Sequence, residues 1–252
     1  LWLETADTNE AKELSAFCRK FEPHLRKALT QASLLKPDAP RLPRLHVFFI
    51  DSATAWAGTS QPGQSSPWPM GIPRLKMPRE APSRSTLKLA EALLEMLSEQ
   101  ERAQLRPGRR AVDLGASPGG WTWQLAHRGM KVTAVDNGPM DATLMESGLV
   151  EHLRADGFVF RPRQPVDWLV CDMVDKPARV VDLVARWFER GDCRAAIFNL
   201  KLPMKRRFEE TQLAREVLQS RLGRLGGVWR IQMRQLYHDR EEITCLVMRE
   251  SA

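Results

Sequence analysis

The chain has 252 residues, 43% hydrophobic and 27% charged, with 38 Lys and Arg against 31 Asp and Glu. That apolar fraction suits a packed core and excludes a disordered or collagen-like chain, while the length corresponds to roughly one or two domains. No uncharged apolar run is long enough to cross a bilayer, and LWLETADTNE lacks the regions of a signal peptide, so the expected compartment is the cytoplasm, with no membrane partner.

From Thr8 to Leu35 apolar residues such as Leu14, Phe17, Phe21, Leu25 and Leu29 recur at helical spacing, and Pro23 is expected to divide them into two helices. LHVFFID, residues 45–51, reads as a strand, with ATAWAG continuing or returning it. TSQPGQSSPWPMGIP is rich in Pro, Gly and Ser and reads as a linker, dividing the chain into residues 1–70 and 71–252. The first residue is Leu rather than Met, so an N-terminal part is expected to be missing.

Beyond the linker, strands and helices alternate. A helix over residues 85–97 precedes the strand RAVDLG, a helix from Trp121, the strand KVTAVD and a short helix near Ala142. The strand PVDWLVCDM, a helix over 178–188, the strand AAIFNLK and a long helix over 208–222 follow. The expected fold class is therefore α/β, with a mostly parallel sheet and helices on both faces. The final strands, near 227–236 and 242–248, have no helix between them and should form an antiparallel hairpin at one sheet edge.

AVDLGASPGGWT, residues 111–122, carries the most information. An apolar strand ends in a glycine-rich turn that enters a helix, which lets backbone approach a ligand at the carboxyl edge of a sheet. GASPGG lacks the GxGxxG spacing of a dinucleotide fingerprint and the GK[ST] ending of a phosphate loop. DLGASPGGWT resembles the cofactor loop of Rossmann-like S-adenosylmethionine-dependent methyltransferases, and its Pro-Gly-Gly-Trp ending resembles the FtsJ-like ribose 2'-O RNA methyltransferases. The resemblance implies that Gly115, Ala116, Ser117, Pro118, Gly119, Gly120 and Trp121 line S-adenosyl-L-methionine. It places Asp136, closing VTAVD, on the cofactor ribose and Asp156, in RADGF, at the adenine amino group. Asp136 and Asp156 follow Asp113 at intervals of 23 and then 20 residues, which suits successive βα units. Asp136 reads equally as a helix cap and Asp156 as an Asp-Gly turn. Ser83 is placed beside the cofactor by the resemblance, and is also a good N-cap.

The same resemblance implies a catalytic Lys-Asp-Lys-Glu tetrad. Lys88 in SRSTLKLAEAL, Asp172 in WLVCDM, Lys201 in AAIFNLKLP and Glu242 in REEITCLVM occupy the matching contexts. Asp172 also stands at the sheet edge that faces the cofactor. Glu241 is the rival of Glu242, since neighbours in a strand point to opposite faces. Lys201 is the expected general base, held partly neutral by desolvation or by the adjacent positive charges of Lys88 and the cofactor. Asp172 is expected to orient Lys201 and the hydroxyl, Lys88 to steady developing negative charge, and Glu242 to fix the lysines.

Two basic runs flank these residues: five of the fifteen residues from Arg74 to Lys88, and four of the seven in KLPMKRR. They fit an RNA backbone track. CDMVDKP differs from the Asn/Asp-Pro-Pro-aromatic motif of base amino methyltransferases, and Cys171 sits inside an apolar strand, unlike the nucleophile of cytosine C5 enzymes. Cys18, Cys171, Cys193 and Cys245 are widely spaced, so reduced thiols and no metal are expected. RLHVFFIDSATAWAG resembles the last portion of a THUMP RNA-binding domain, which implies a partial α/β THUMP-like region of reduced RNA capture ahead of the methyltransferase domain. Together the two regions resemble bacterial enzymes that methylate a cytidine ribose of 23S ribosomal RNA, acting as a monomer on RNA before complete subunit assembly. A small-molecule O-methyltransferase and a noncatalytic RNA-binding module are the competing readings.

Overall fold

The computed structural model describes residues 1–39, 41–239 and 241–250, and the chain divides into two units, Leu1–Arg74 and Leu75–Ala252. In the first, β1 (Trp2–Thr5) pairs in parallel with β2 (Arg44–Phe49), which pairs antiparallel with β3 (Ala55–Ser60). ATAWAG thus returns the preceding strand. One helix, α1 (Lys12–Gln31), contains Pro23 without dividing there. Proline removes one backbone donor, but the apolar face runs on across it. Phe17 and Phe21 stack at 5.2 Å, Phe49 of β2 meets them edge-on at 5.4 and 6.4 Å, and Cys18 is buried on the same helix. The boundary falls four residues beyond the expected one, at 74 rather than 70. Glu4 accepts the Met70 backbone N–H at 2.6 Å and Asp7 pairs with Arg74 at 2.7 Å, which fastens the end of the linker to the first unit.

The second unit is a doubly wound sheet. Its strands are β4 (Arg110–Leu114), β5 (Lys131–Val135), β6 (Val150–Leu153), β7 (Val166–Cys171), β8 (Cys193–Lys201), β9 (Trp229–Arg234) and β10 (Glu242–Arg249). Their order is β6-β5-β4-β7-β8-β10-β9; the first five are parallel, and β10 runs antiparallel to both of its neighbours. The expected hairpin is present, with β9 rather than β10 on the edge.

The helices are α2 (Thr86–Met96), α3 (Glu99–Arg102), α4 (Gly120–Ala126), α5 (Ala142–Glu146), α6 (Pro177–Glu189) and α7 (Arg207–Gly223). Leu89, Leu93 and Leu125 of α2 and α4 pack with Val170, Ile197 and Leu246 on one face of the sheet. Val180, Trp187 and Leu218 of α6 and α7 pack with Leu169, Phe198 and Val247 on the other. Adjacent residues Ile197 and Phe198 thus serve opposite layers, which is why β8 reads as a continuous apolar run. β1 and β6 fall outside the expected strands, since four residues are too few to show alternation. All four cysteines are buried thiols, and burial pushes Cys171 up to about 12, far from a nucleophile's range. Among the described residues no helix is long and apolar enough to cross a membrane.

Candidate active site

The carboxyl ends of β4, β5, β7 and β8 bring the expected residues to one edge. Leaving β4, Gly115 donates to Val135 O at 3.0 Å with φ +77°, and Gly119 has φ +120°, conformations that favour glycine. A Cβ on Gly115 would stand 2.7 Å from Met173 Cγ, so the loop lies hard against the chain leaving β7. Gly120 lies against the Ser83 and Ser85 hydroxyls, which are 2.7 Å apart. Ser85, not Ser83, takes the N-cap position of α2, leaving Ser83 at the glycine loop.

Asp136 ties the loop down. Its carboxylate accepts from Ser117 N at 3.1 Å and Gly138 N at 2.7 Å, while the cap of α5 is Asp141. A carboxylate offers about four lone pairs, so Asp136 retains acceptor capacity for a diol. Asp156 is exposed and accepts Phe158 N at 2.8 Å through one oxygen, so it forms the expected turn and keeps a second oxygen. These acceptors suit a ligand bearing ribose hydroxyls, an amino group and positive charge, and so fit S-adenosylmethionine. Ala116 and Trp121 contribute to the cradle through their backbone, because Ala116 is 4% and Trp121 2% exposed, both within the core. Pro118 follows Ser117 through a cis peptide and accepts Asp141 N at 2.9 Å.

Beneath the loop, Asp113 is fully buried and accepts the Thr122 hydroxyl at 2.6 Å, while its other oxygen has no protein partner. Burial pushes this carboxyl up to about 7.

The charged cluster lies across β7, β8 and β10. Asp172 follows β7, its N–H donating to Leu114 O at 3.3 Å, so it stands beside the start of the glycine loop. Lys88 Nζ reaches Glu242 Oε2 at 2.7 Å and Asp172 Oδ2 at 3.3 Å. Lys201 Nζ reaches Glu242 Oε1 at 3.4 Å. Glu242 is thus shared by both lysines, whereas the side chain of Glu241 is 74% exposed beside Arg207. Burial would lower the Lys88 ammonium, but Asp172 and Glu242 outweigh it and hold it above the ordinary lysine value. Burial raises Asp172, opposed by Lys88 and Lys201. The expected Asp172–Lys201 contact is not among the hydrogen bonds or ion pairs of the described residues; Lys88 and Asn199 hold Asp172 instead.

Asn199, Thr244 and Asp239 complete the cluster and went unexpected. Register pairs Lys201 with Glu242 and Asn199 with Thr244, and alternation puts all four on one face. Asn199 Nδ2 lies 3.2 Å from Asp172, 2.9 Å from Glu242 and 3.3 Å from Asp239. The Thr244 hydroxyl reaches Asn199 Oδ1 at 3.0 Å and also contacts Asp239. Burial raises Asp239 to about 6 against the pull of Thr244 and Lys88. The Thr244 hydroxyl, with its one hydrogen, thus lies between two acceptors, Asn199 Oδ1 and the Asp239 carboxyl. Glu91, three residues after Lys88 on α2, accepts Tyr237 N, His238 N and His238 Nδ1 at 2.8, 2.9 and 2.6 Å, fixing the turn that carries Asp239. Its spacing of two from Lys201 puts Asn199 on the same face of β8.

A mostly parallel sheet ending in this glycine loop, with acids at successive strand ends, defines a Rossmann-like S-adenosylmethionine-dependent methyltransferase. Residues 81–222 match the FtsJ-like methyltransferases, and residues 1–61 match a family described as ribosomal RNA large subunit methyltransferase M, N-terminal. The chain belongs to the family of ribosomal RNA large subunit methyltransferase M, within the FtsJ-like methyltransferases. Proteins of that name from Methylococcus capsulatus and Aromatoleum aromaticum are 59% and 57% identical to it over 97% of the chain. The chain spans 68% and 66% of their lengths. In fold it resembles a putative hemolysin from Lactococcus lactis, with a TM-score of 0.51 and 15% identity over 69% of this chain and 90% of that one.

Proposed function

We propose that the chain transfers a methyl group from S-adenosylmethionine to the ribose 2'-hydroxyl of a cytidine in 23S ribosomal RNA. The observation that carries this reading is the pair of lysines sharing Glu242 beside Asp172, at the edge where the glycine loop lies. The names of the relatives support large-subunit ribosomal RNA as acceptor, and the first unit, resembling part of a THUMP domain, adds RNA capture.

The bound cofactor supplies an electrophilic methyl on a sulfonium. The protein must align the hydroxyl, take its proton and steady the charge that develops on oxygen. Gly115, Ser117, Gly119 and Gly120 shape the cradle; Asp136 and Asp156 accept from the ribose and adenine, with Ser83 alongside. Lys88 is held protonated between two carboxylates and serves as a fixed positive charge. Lys201 has one carboxylate contact and a side chain 30% exposed against 18% for Lys88, so it is the amine free to meet the hydroxyl. Lys201 would accept the hydroxyl proton as the carbon–oxygen bond forms and the methyl–sulfur bond breaks, leaving a neutral thioether, and Glu242 would stabilise the resulting ammonium. Asp172, fastened by Lys88 and Asn199, orients the hydroxyl rather than Lys201. Lys205 and Arg206 of KLPMKRR, and Lys76, Arg79 and Arg84 ahead of α2, are exposed and supply cations for the RNA backbone.

Labelled cofactor incubated with large-subunit ribosomal RNA, followed by digestion to nucleosides, is expected to yield 2'-O-methylcytidine. Label on a base, or only in small molecules from a metabolite extract, would overturn the reading. Lys201→Ala is expected to lose transfer while keeping cofactor affinity.

A further inference from the structure

Three large apolar side chains stand in solvent on the segments that follow Asp172 and Lys201 in the chain. Val174, two residues after Asp172, is 78% exposed; Met204, three after Lys201, is 89% exposed; Phe208, in the first turn of α7, is 72% exposed. They belong to the chain leaving β7 and the chain leaving β8, and these strands are paired neighbours. The fold gains no core from any of them, because α6 and α7 bury their other faces through Val180, Trp187, Ala214 and Leu218. An isolated exposed apolar residue is ordinary, but three on the two segments that leave paired neighbouring strands at their carboxyl ends invite reading as one contact surface.

Cations accompany them. The side chains of Lys205 and Arg206 are exposed and, among the described residues, enter no ion pair or side-chain hydrogen bond, whereas Arg207 is fastened to Pro203 O and Glu241. Arg206 has φ +63°, a left-handed conformation costly for any residue but glycine, so the loop holds a shape that local preference alone would not select. Apolar side chains beside free cations match a nucleotide, whose flat base seeks apolar contact while its phosphates seek positive charge.

We infer that Val174, Met204 and Phe208 seat the base of the target nucleotide, with Lys205 and Arg206 on the phosphates of the same strand. The seat takes a base that is unpaired and unstacked, since a base within a helix cannot offer its face. The inference rests on the proposed transfer to RNA and identifies what holds the acceptor while Lys201 meets its ribose.

Phe208→Ser, Met204→Ser and Val174→Ser test it in the full 252-residue chain. Exposed positions tolerate such changes with little effect on stability. Affinity for a short single-stranded oligoribonucleotide, read by fluorescence anisotropy, is expected to fall at least about fivefold for Phe208→Ser, while cofactor affinity stays within about twofold. An oligonucleotide lacking one base at the methylated position should weaken wild-type binding by a similar factor and leave Phe208→Ser binding unchanged. Wild-type RNA affinity in all three variants, or an undiminished penalty for the missing base in Phe208→Ser, would overturn the seat. A wild-type product carrying its methyl on the base instead would sink the ribose reading alone, because binding reports the seat without any chemistry.

Discussion

Lys88 and Glu242 are 154 residues apart in sequence and 2.7 Å apart in the fold. The contact joins the first helix of the second unit to its final strand, and it places a fixed positive charge beside two acids. Lys88→Ala would leave Glu242 and Asp172 facing each other without that charge. We expect loss of methyl transfer and about 2–3 kcal/mol of stability, less than for a fully buried pair. Urea unfolding beside a transfer assay measures both.

Glu241 and Glu242 provide an internal comparison. Glu242→Gln is expected to lower kcat at least about a hundredfold, since it removes the charge shared by both lysines. Glu241→Gln, at an exposed position, is expected to stay within about twofold of wild type. Equal effects in a single-turnover assay would refute the assignment.

Glu91 touches no proposed substrate yet holds the turn behind Asp239. Glu91→Ala would leave three donors without their acceptor, at a cost of about 2–3 kcal/mol. The prediction is a lower melting temperature together with about tenfold lower kcat at unchanged cofactor affinity. Glu91→Gln keeps one acceptor oxygen and is expected to recover part of both. A fall in stability with kcat intact would reduce Glu91 to a purely structural role.

Asp113 gives a pH signature of known sign. Its carboxyl is raised to about 7 in the fold, against about 3.9 in an unfolded chain, so between these values the folded state binds more protons. Stability is therefore full below about pH 4 and falls by a few kcal/mol as pH rises through 7. Asp239, at about 6, adds a smaller change of the same sign. Asp113→Asn should remove most of this slope, as measured by urea unfolding at about pH 5 and 8. A slope unchanged in the variant would show that other groups set it.

The glycine loop, Asp172 and Lys201 were legible in the sequence because each follows a long apolar run, and runs of that kind mark strands whose ends face a site. Glu242 was distinguished from Glu241 by its place before ITCLVM. Asn199 was not singled out, since one polar residue within AAIFNLK gives no local sign of its partners. Its role depends on register with Thr244, and register is a property of two strands distant in sequence. Asp239 was hidden for the same reason: what makes its turn important is Glu91, nearly 150 residues earlier. Pro23 misled in the opposite direction, because a local rule about helices yielded to packing by Phe17, Phe21 and Phe49.

The insertion of β10 between β8 and β9 has a consequence for biosynthesis. A chain emerging from the ribosome completes its glycine loop well before β8, β9 and β10 are translated, and can pack α2 against α4 early. Until β10 arrives, β8 keeps an open edge and Lys201 lacks its carboxylate. The groups that hold the cofactor thus precede those that complete the proton acceptor, and a nascent chain proposed to modify ribosomal RNA stays chemically silent until β10 has been translated and paired with β8.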